Sequence, residues 1–201
     1  MREDIHTQGS DAFTDSGQKM KDCAFTLWFT GLPASGKSTL AAATRLALLG
    51  EGHNAFVIDG DSIRKGLNKD LGFSPEHRRE NIRRVGELAE LFRQAGIINL
   101  VACISPYRSD RNAARKLAMN NETFVEIFVD CPLEVCEQRD PKGMYKKAHA
   151  GIIQDLTGIS APYEIPGAPE IHLRTALQSV EECIGLIMDY LRTRNLIRTS
   201  S

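Results

Sequence analysis

The fold of this chain is decided by one stretch, Gly31-Leu32-Pro33-Ala34-Ser35-Gly36-Lys37-Ser38. It matches G-x-x-x-x-G-K-[ST], the pattern of a phosphate-binding loop. The residues before it, 25–30 (FTLWFT), are β-branched and aromatic and predict a buried strand. The residues after it, from Gly36 to about Leu49, are rich in Ala and Leu and predict a helix. Because a strand, a glycine loop and a helix in this order are the context that the motif requires, the chain is expected to bind a nucleoside triphosphate.

Each residue type in this loop has a physical reason. Gly31 and Gly36 permit backbone angles that a side chain would forbid, so consecutive N–H groups can point into one concavity. The helix that begins there adds the positive end of its dipole. Lys37 supplies a mobile cation for the β- and γ-phosphates, and the Ser38 hydroxyl is placed to ligate Mg²⁺. The alternative, a turn that fits the pattern by chance, is disfavoured by both flanks.

Length and composition limit the class of protein. The chain has 201 residues, of which 42% are hydrophobic and 25% charged, with 25 Lys and Arg against 26 Asp and Glu. This composition is typical of a soluble globular protein with one α/β domain. The near-zero net charge argues against a dedicated nucleic-acid binder, which usually carries a basic face. The longest largely apolar run, residues 97–104, is far too short to cross a bilayer, and residues 1–6 lack the apolar core of a signal peptide.

The cysteines and histidines do not predict a metal centre. The five cysteines form no C-x-x-C pair, and the five histidines lack metal-ligand spacing, so a zinc site is not expected. An odd number of cysteines in an enzyme-like chain predicts reduced thiols and a cytoplasmic location. Cys103 and Cys131 lie in or beside apolar segments and are expected in the core.

The rest of the chain alternates between apolar strands and amphipathic helices. Further strands are predicted at residues 55–58, 97–104, 124–129 and 171–174. With the first strand they give a three-layer α/β sandwich around a five-stranded parallel sheet, of the P-loop nucleoside triphosphate hydrolase or kinase type. Residues 1–22 are polar and aperiodic and predict a flexible N-terminal arm, which leaves one domain over residues 23–201. Residues 139–170 are basic and glycine-hinged and predict a lid, with a plain surface excursion as the alternative.

Local signals predict how three of the helices begin or pack. Ser74 followed by Pro75 predicts an N-cap and a first helical turn. Ser109 is expected to cap a helix from residue 110 to about residue 119. A helical stripe predicted to pack on the sheet consists of Leu177, Val180, Ile184, Ile187 and Leu191.

Charged side chains follow the second strand directly. Ligands of open α/β sheets bind outside the carboxyl ends of the strands. Asp59 and Asp61 stand at such an end, and Asp61 is the stronger candidate for metal or hydroxyl chemistry; for Asp59 a solvated turn is an equal alternative. Arg64 and Lys65 follow closely, which suits an anionic substrate or a solvated pair. These residues indicate a small P-loop kinase with an anionic acceptor, and a GTPase is a weaker second interpretation.

Four blocks of sequence resemble a known family, and this resemblance limits the candidate substrates. The blocks are Gly31 to Ser38 with Thr39; Asp59-Gly60-Asp61-Ser62-Ile63-Arg64 through Phe73-Ser74 to Glu80-Asn81-Ile82-Arg83-Arg84; Ile104-Ser105-Pro106-Tyr107-Arg108 with Asp110-Arg111; and Arg139-Asp140-Pro141-Lys142-Gly143 with Tyr145-Lys146-Lys147 and Thr157-Gly158-Ile159. Together they resemble the adenylyl-sulfate kinase (APS kinase) family over roughly residues 24–192. The first block is shared by many kinases, whereas the second and third are specific to this family.

The resemblance implies transfer of the γ-phosphate of ATP to the 3′-hydroxyl of adenosine 5′-phosphosulfate (APS), with Mg²⁺ accompanying ATP. It implies that Asp61 orients or deprotonates that hydroxyl and that Ser105 contacts substrate in place of the phosphoserine often assigned to it. The implied ATP-binding residues are Gly31, Leu32, Pro33, Ala34, Ser35, Gly36, Lys37, Ser38, Thr39 and Arg139. The implied acceptor-binding residues are Asp61, Arg64, Phe73, Arg78, Asn81, Ile104, Ser105, Lys142 and Leu156. The implied catalytic residues are Asp61, Lys37 and Ser105, and the implied metal ligand is Ser38; the assembly expected from the family is a homodimer.

One departure from the family pattern affects the acceptor pocket. Leu156 stands where the family usually has Phe before Thr-Gly, so half of the expected aromatic clamp on the substrate base is missing. The lost stack is expected to weaken affinity by about 1 kcal/mol without abolishing activity. Two other functions stay open: a non-catalytic nucleotide-binding regulatory domain, and a kinase for another small metabolite such as shikimate or gluconate.

Overall fold

The computed structural model describes residues 24–118 and 123–198, so the arm predicted for residues 1–22 lies outside the described residues. Within that range the chain forms five strands and seven helices. The strands are β1 (Thr26–Thr30), β2 (Ala55–Asp59), β3 (Ile98–Ala102), β4 (Phe124–Asp130) and β5 (Ile171–Arg174). The helices are α1 (Lys37–Gly50), α2 (Gly60–Lys65), α3 (Pro75–Gln94), α4 (Arg108–Leu117), α5 (Leu133–Arg139), α6 (Met144–His149) and α7 (Val180–Thr193).

The five strands form one parallel sheet, as the sequence predicts, and the structure shows their order to be β2-β3-β1-β4-β5. The chain leaves the central strand β1 toward β2 and β3 on one side, and later returns to add β4 and β5 on the other. The phosphate loop therefore starts at the point where the direction of winding reverses. At such a switch point the adjacent loops separate and leave a crevice at the carboxyl edge of the sheet.

Both faces of the sheet are covered, which is why β1 is apolar throughout. Leu27 and Phe29 point into a core shared with α1 and α7. Trp28, between them, points into the opposite core with residues of α3 and α4. Successive side chains of a strand face opposite sides of the sheet, so a strand buried on both faces lacks polar alternation. The three-layer sandwich is confirmed.

Helix α3 begins as predicted, whereas α4 does not. The Ser74 hydroxyl accepts a hydrogen bond from the His77 N–H, and Pro75 is the first helical residue. Helix α4 begins at Arg108, two residues earlier than expected, with Tyr107 at the N-cap. The prediction that Ser109 caps it is wrong, because its hydroxyl lies inside the first turn and donates to Asp110 Oδ1 at 3.1 Å. The helix ends at Leu117, and its predicted end at residue 119 lies outside the described residues.

The stripe predicted for the last helix is correct except at its first position. Helix α7 begins at Val180, where Ser179 and Glu182 form a reciprocal capping box. Leu177 precedes this cap and is 79% exposed, so its predicted packing on the sheet is wrong. The buried face consists of Cys183, Ile187, Met188 and Leu191, with Val180 and Ile184 partly buried beside them.

Cysteines 103, 131, 136 and 183, the four in the described residues, are buried free thiols, and Cys103 and Cys131 lie in the core as predicted. In the same part of the chain, no helix combines the length and apolar character needed to cross a membrane.

Candidate active site

The phosphate loop adopts a conformation that needs glycine at two positions. A Cβ at Gly31 would collide with the carbonyl oxygen of Val129 on the neighbouring strand. Gly36 has φ 106° and forms the N-cap of α1 in the left-handed region. Ala34 is also left-handed, with φ 59°, although it carries a Cβ. The loop is therefore held in a locally unfavourable shape by its surroundings.

Lys37 lies inside the loop rather than in solvent. Its Nζ donates to the carbonyl oxygens of Gly31 at 3.0 Å and Leu32 at 2.5 Å, and to Ser35 Oγ at 3.4 Å. Burial lowers the pKa of Lys37 to about 8. The ammonium group is thus poorly solvated, and a phosphate at the loop would be its natural counter-ion.

Ser38 and Asp59 meet at the carboxyl edge of the sheet. The Ser38 hydroxyl donates to Asp59 Oδ2 at 2.7 Å. The other oxygen of Asp59 accepts from the N–H groups of Asp61 at 3.0 Å and Ser62 at 3.2 Å, which caps α2. Asp59 therefore orients both the predicted metal-ligating serine and the helix that carries Asp61. The described residues contain no cluster of three or more His, Cys, Asp and Glu that could hold a metal alone. Two oxygen donors suit Mg²⁺, which is usually bound through one or two protein groups together with substrate phosphates.

One cavity of about 980 Å³ joins the loop to the predicted acceptor residues. Most of the residues predicted for the site form its wall. These wall residues are Pro33, Ala34, Gly36, Lys37, Ser38, Thr39, Asp61, Arg64, Phe73, Arg78, Asn81, Ile104, Ser105, Arg139, Lys142 and Leu156. The remaining predicted residues, Gly31, Leu32 and Ser35, lie behind the wall, in the body of the loop. Asp59 and Cys103 also line the cavity. The sequence left open whether Asp59 is a site residue or part of a solvated turn, and it predicted Cys103 only as a core residue.

On the acceptor side, the side chain of Phe73 is 53% exposed and its ring lies beneath two guanidinium groups. The Arg64 guanidinium carbon is 4.6 Å from the ring centroid, and that of Arg78 is 5.9 Å from it. Burial and the charge of Arg78 lower the pKa of Arg64. An apolar ring beside partly desolvated cations is suited to a ligand that is aromatic at one end and anionic at the other.

Arg78 also joins the acceptor pocket to the lid. It donates to the Phe73 carbonyl oxygen at 2.7 Å and to Thr157 Oγ1 at 2.7 Å, and it also donates to the Asp155 carbonyl oxygen. The two lid partners flank Leu156, which is buried on the cavity wall against Tyr145. The sequence predicted an anion contact for Arg78, and the structure adds this bridging contact.

Asn81 is oriented by a second buried asparagine. Asn68 Nδ2 donates to Asn81 Oδ1 at 3.0 Å, which leaves the amide nitrogen of Asn81 as the group available to a ligand.

Ser105 is held rigidly at the carboxyl end of β3. It is 1% exposed, has φ 42°, and its Oγ accepts from Trp28 Nε1 at 3.0 Å and donates to the Cys103 carbonyl oxygen at 3.3 Å. Arg111 donates to its carbonyl oxygen at 2.7 Å. Both hydrogen-bonding directions of the hydroxyl are occupied, so the geometry favours a structural contact over a phosphate-carrying role. Sequence reasoning missed the contact of Trp28 with Ser105 and the bracing function of Arg111, because these contacts form only in the folded chain.

The lid contacts the rest of the site at both of its ends. At its start Arg139 donates to the Thr175 carbonyl oxygen at 2.6 Å, and the Thr175 hydroxyl donates to the Ser35 carbonyl oxygen at 2.8 Å. At its end the Glu164 N–H donates to the Pro106 carbonyl oxygen at 2.8 Å. Thr175 was not predicted as a site residue, and only its position directly after β5 could have indicated it.

The phosphate loop and a second, cationic pocket share one cavity, so two small molecules can bind there and exchange a phosphate group. Together with the order of the strands, this arrangement defines a P-loop kinase. A family model described as adenylylsulphate kinase matches residues 23–174. The chain belongs to the adenylylsulphate kinase family.

Relatives and solved structures agree with this assignment. The adenylyl-sulfate kinase of Saccharomyces cerevisiae is 56% identical over 174 residues, which cover 86% of each chain. That of Marinobacter nauticus is 52% identical over 185 residues, which cover 92% of each chain. Among solved structures, the Mycobacterium tuberculosis APS kinase CysC in complex with AMPPNP and APS has a TM-score of 0.80 at 45% identity, covering 84% of this chain and 97% of that one.

Proposed function

We propose that the chain transfers the γ-phosphate of ATP to the 3′-hydroxyl of APS, giving 3′-phosphoadenylyl sulfate and ADP. One observation carries the proposal: the phosphate loop and the cluster of Arg64, Phe73, Arg78 and Asn81 line a single cavity, together with Asp61. A donor and an acceptor nucleotide can therefore occupy one continuous cavity. The M. tuberculosis relative, solved with an ATP analogue and APS together, supports the same pairing.

On the donor side, the N–H groups of the loop and the Lys37 ammonium would hold the triphosphate. Ser38, supported by Asp59 at 2.7 Å, would hold the Mg²⁺ that accompanies ATP. That ion, when bound, neutralises charge on the β- and γ-phosphates. Arg139, whose guanidinium donates to the Thr175 carbonyl oxygen, would stack on the ATP base.

On the acceptor side, Phe73 would stack on the adenine, with Leu156 and Ile104 completing the pocket. Arg64, Arg78 and Asn81 would hold the ribose and the phosphosulfate. Lys142, which reaches Asp61 from the lid, would steady the phosphates.

The transfer itself needs positioning and electrostatics more than a covalent intermediate. The 3′-oxygen of APS bonds to the γ-phosphorus as the bond from that phosphorus to the β–γ bridging oxygen breaks, which releases ADP. The proton of the 3′-hydroxyl passes to the Asp61 carboxylate. Because the Ser105 hydroxyl is buried in two hydrogen bonds, direct in-line transfer without a phosphoserine fits the site better.

Three further features belong to the proposal. We expect residues 23–201 to act as one catalytic domain with a lid at about residues 139–170 and a flexible arm before it, in the cytoplasm. We also expect a homodimer, which the family resemblance supports. Sedimentation of the full chain and of a chain lacking residues 1–22 would measure the assembly and any contribution of the arm.

A coupled assay of ADP release tests the activity. Purified protein with magnesium and ATP is given APS, shikimate or gluconate, and we expect rapid ADP release with APS alone. Release with either acid would favour another metabolite kinase. ATP binding without ADP release from any acceptor would favour a non-catalytic regulatory domain.

A further inference from the structure

Tyr145, on the lid helix α6, forms a hydrogen bond with the phosphate loop. Its hydroxyl donates to the carbonyl oxygen of Pro33 at 2.9 Å, and the residue is 1% exposed. The ring packs in a small apolar cluster with Cys131, Cys136 and Leu156. Burial raises the pKa of Tyr145, so the hydroxyl keeps its proton and remains a donor.

This contact fixes the direction of one peptide group in the loop. In a trans peptide the C=O of one residue and the N–H of the next point in opposite directions. A donor that holds the Pro33 carbonyl toward the lid cluster therefore turns the Ala34 N–H away from it. Ala34 lines the cavity and has φ 59°, a conformation that a residue with a Cβ adopts only under constraint. The Tyr145 hydroxyl supplies such a constraint.

The side chains that donate to the other loop carbonyls lie outside the lid segment, residues 139–170. Lys37, at the start of α1, donates to the carbonyl oxygens of Gly31 and Leu32. Thr175, directly after β5, donates to that of Ser35 at 2.8 Å. Pro33 differs because the donor to its carbonyl oxygen, Tyr145, is on the lid. The N–H groups of the loop therefore take up the observed arrangement when α6 packs against the loop.

We propose that the Tyr145 hydroxyl is a positioning group that couples the seating of the lid helix to nucleotide affinity. The inference rests on the proposed function only in taking the loop as the ATP site. Coupling between two sites is reciprocal. A seated lid should strengthen nucleotide binding, and a bound nucleotide should hold α6 in place.

The direct test is Tyr145→Phe, which removes the hydroxyl and keeps the ring. The dissociation constant of the non-hydrolysable analogue AMPPNP, measured by calorimetry with magnesium, should rise about three- to tenfold, the range for one lost neutral hydrogen bond. The matched control is Tyr163→Phe. Tyr163 is also a lid tyrosine with a mostly buried hydroxyl, bonded to Thr30 Oγ1 at 3.0 Å and away from the loop carbonyls. Its loss should lower thermal stability and leave the AMPPNP constant unchanged.

A second measurement is hydrogen exchange. In the wild-type chain, AMPPNP should slow the exchange of the amides of α6, and Tyr145→Phe should reduce that protection. The proposal is overturned if Tyr145→Phe binds AMPPNP as tightly as wild type, if both variants weaken it equally, or if α6 gains no protection. Failure of the proposed function has a different signature, in which wild type binds AMPPNP with the predicted coupling but leaves APS unphosphorylated.

Discussion

Lys142 on the lid and Asp61 in the first turn of α2 form an ion pair across the cavity. Both side chains remain more than half exposed, so the pair lies at the mouth of the site and not in the core. One lid cation therefore reaches the residue that is predicted to accept the proton.

Asp61→Asn should lower kcat by at least about 100-fold, because the amide cannot accept the proton of the 3′-hydroxyl. Steady-state ADP release with saturating ATP and APS measures the effect. Asp70→Asn is the matched control: Asp70 is an exposed carboxylate that pairs with Arg84 at 2.8 Å, away from the cavity. Near-normal turnover of Asp61→Asn would remove that residue from the proton-accepting role.

Lys37→Ala should abolish use of ATP. The substitution removes both the cation that would meet the phosphates and the donor that holds the Gly31 and Leu32 carbonyl oxygens. ATP binding and ADP release should both be lost, while Lys69→Ala, at an exposed lysine outside the cavity, should leave them unchanged. Retained activity in Lys37→Ala would show that the loop is not the nucleotide site.

The affinity for ATP should depend on pH through Lys37. Burial lowers the pKa of Lys37 from 10.5 to about 8 in the free protein, and bound phosphates should raise it again. Below pH 8 the lysine is charged in both states, so affinity is constant. Above pH 8 binding must take up a proton, so affinity should fall by up to about tenfold per pH unit.

Calorimetry of ATP binding in buffers of different ionisation enthalpy would detect that proton uptake at about pH 9. Lys37→Arg is the control, because a guanidinium stays charged over this range. Its affinity should be flat between pH 8 and 10, whatever its absolute value. Equal pH dependence in both proteins would assign the titration to another group.

Leu156→Phe should tighten APS binding and weaken the fold. A second ring opposite Phe73 can add about 1 kcal/mol of stacking, a factor of about five in KM for APS. Leu156 is buried, so the larger side chain should cost about 1–3 kcal/mol of unfolding free energy. Leu133→Phe, in the same cluster but off the main cavity wall, should show no gain in KM. An unchanged KM in Leu156→Phe would exclude a clamp at this position.

Arg111→Ala should destabilise the protein by about 3–5 kcal/mol, because it leaves Glu126 as a buried charge with a weaker partner. Arg111 Nε lies 2.6 Å from Glu126 Oε1, and the arginine is almost fully buried. Urea unfolding measures the loss. Arg83→Ala, which breaks an exposed pair with Glu80 at 2.7 Å, should cost much less, because solvent screens that pair. Similar losses in the two variants would mean that the buried pair does not stabilise the sheet.

Much of the fold could be predicted because its signals are local. The phosphate loop, the apolar strands and the N-cap at Ser74 each depend on residues within a few positions of one another. The errors were local as well: Ser109 lies two residues after the N-cap of α4, and Leu177 lies before the cap of α7. For α7, the capping box of Ser179 and Glu182 decided where the helix began.

The sequence by itself determined that this is a P-loop kinase with a parallel sheet, and its motifs selected the residues that now line one cavity. The tertiary structure alone decided how those residues are held: Trp28 on Ser105, Arg78 across Leu156, Tyr145 on Pro33 and Thr175 on Ser35. These contacts join residues 77 to 140 positions apart, so no periodicity or spacing in the chain encodes them. They arise because the sheet order brings the ends of β1, β3 and β5 to one edge, where every buried carbonyl and hydroxyl needs a partner.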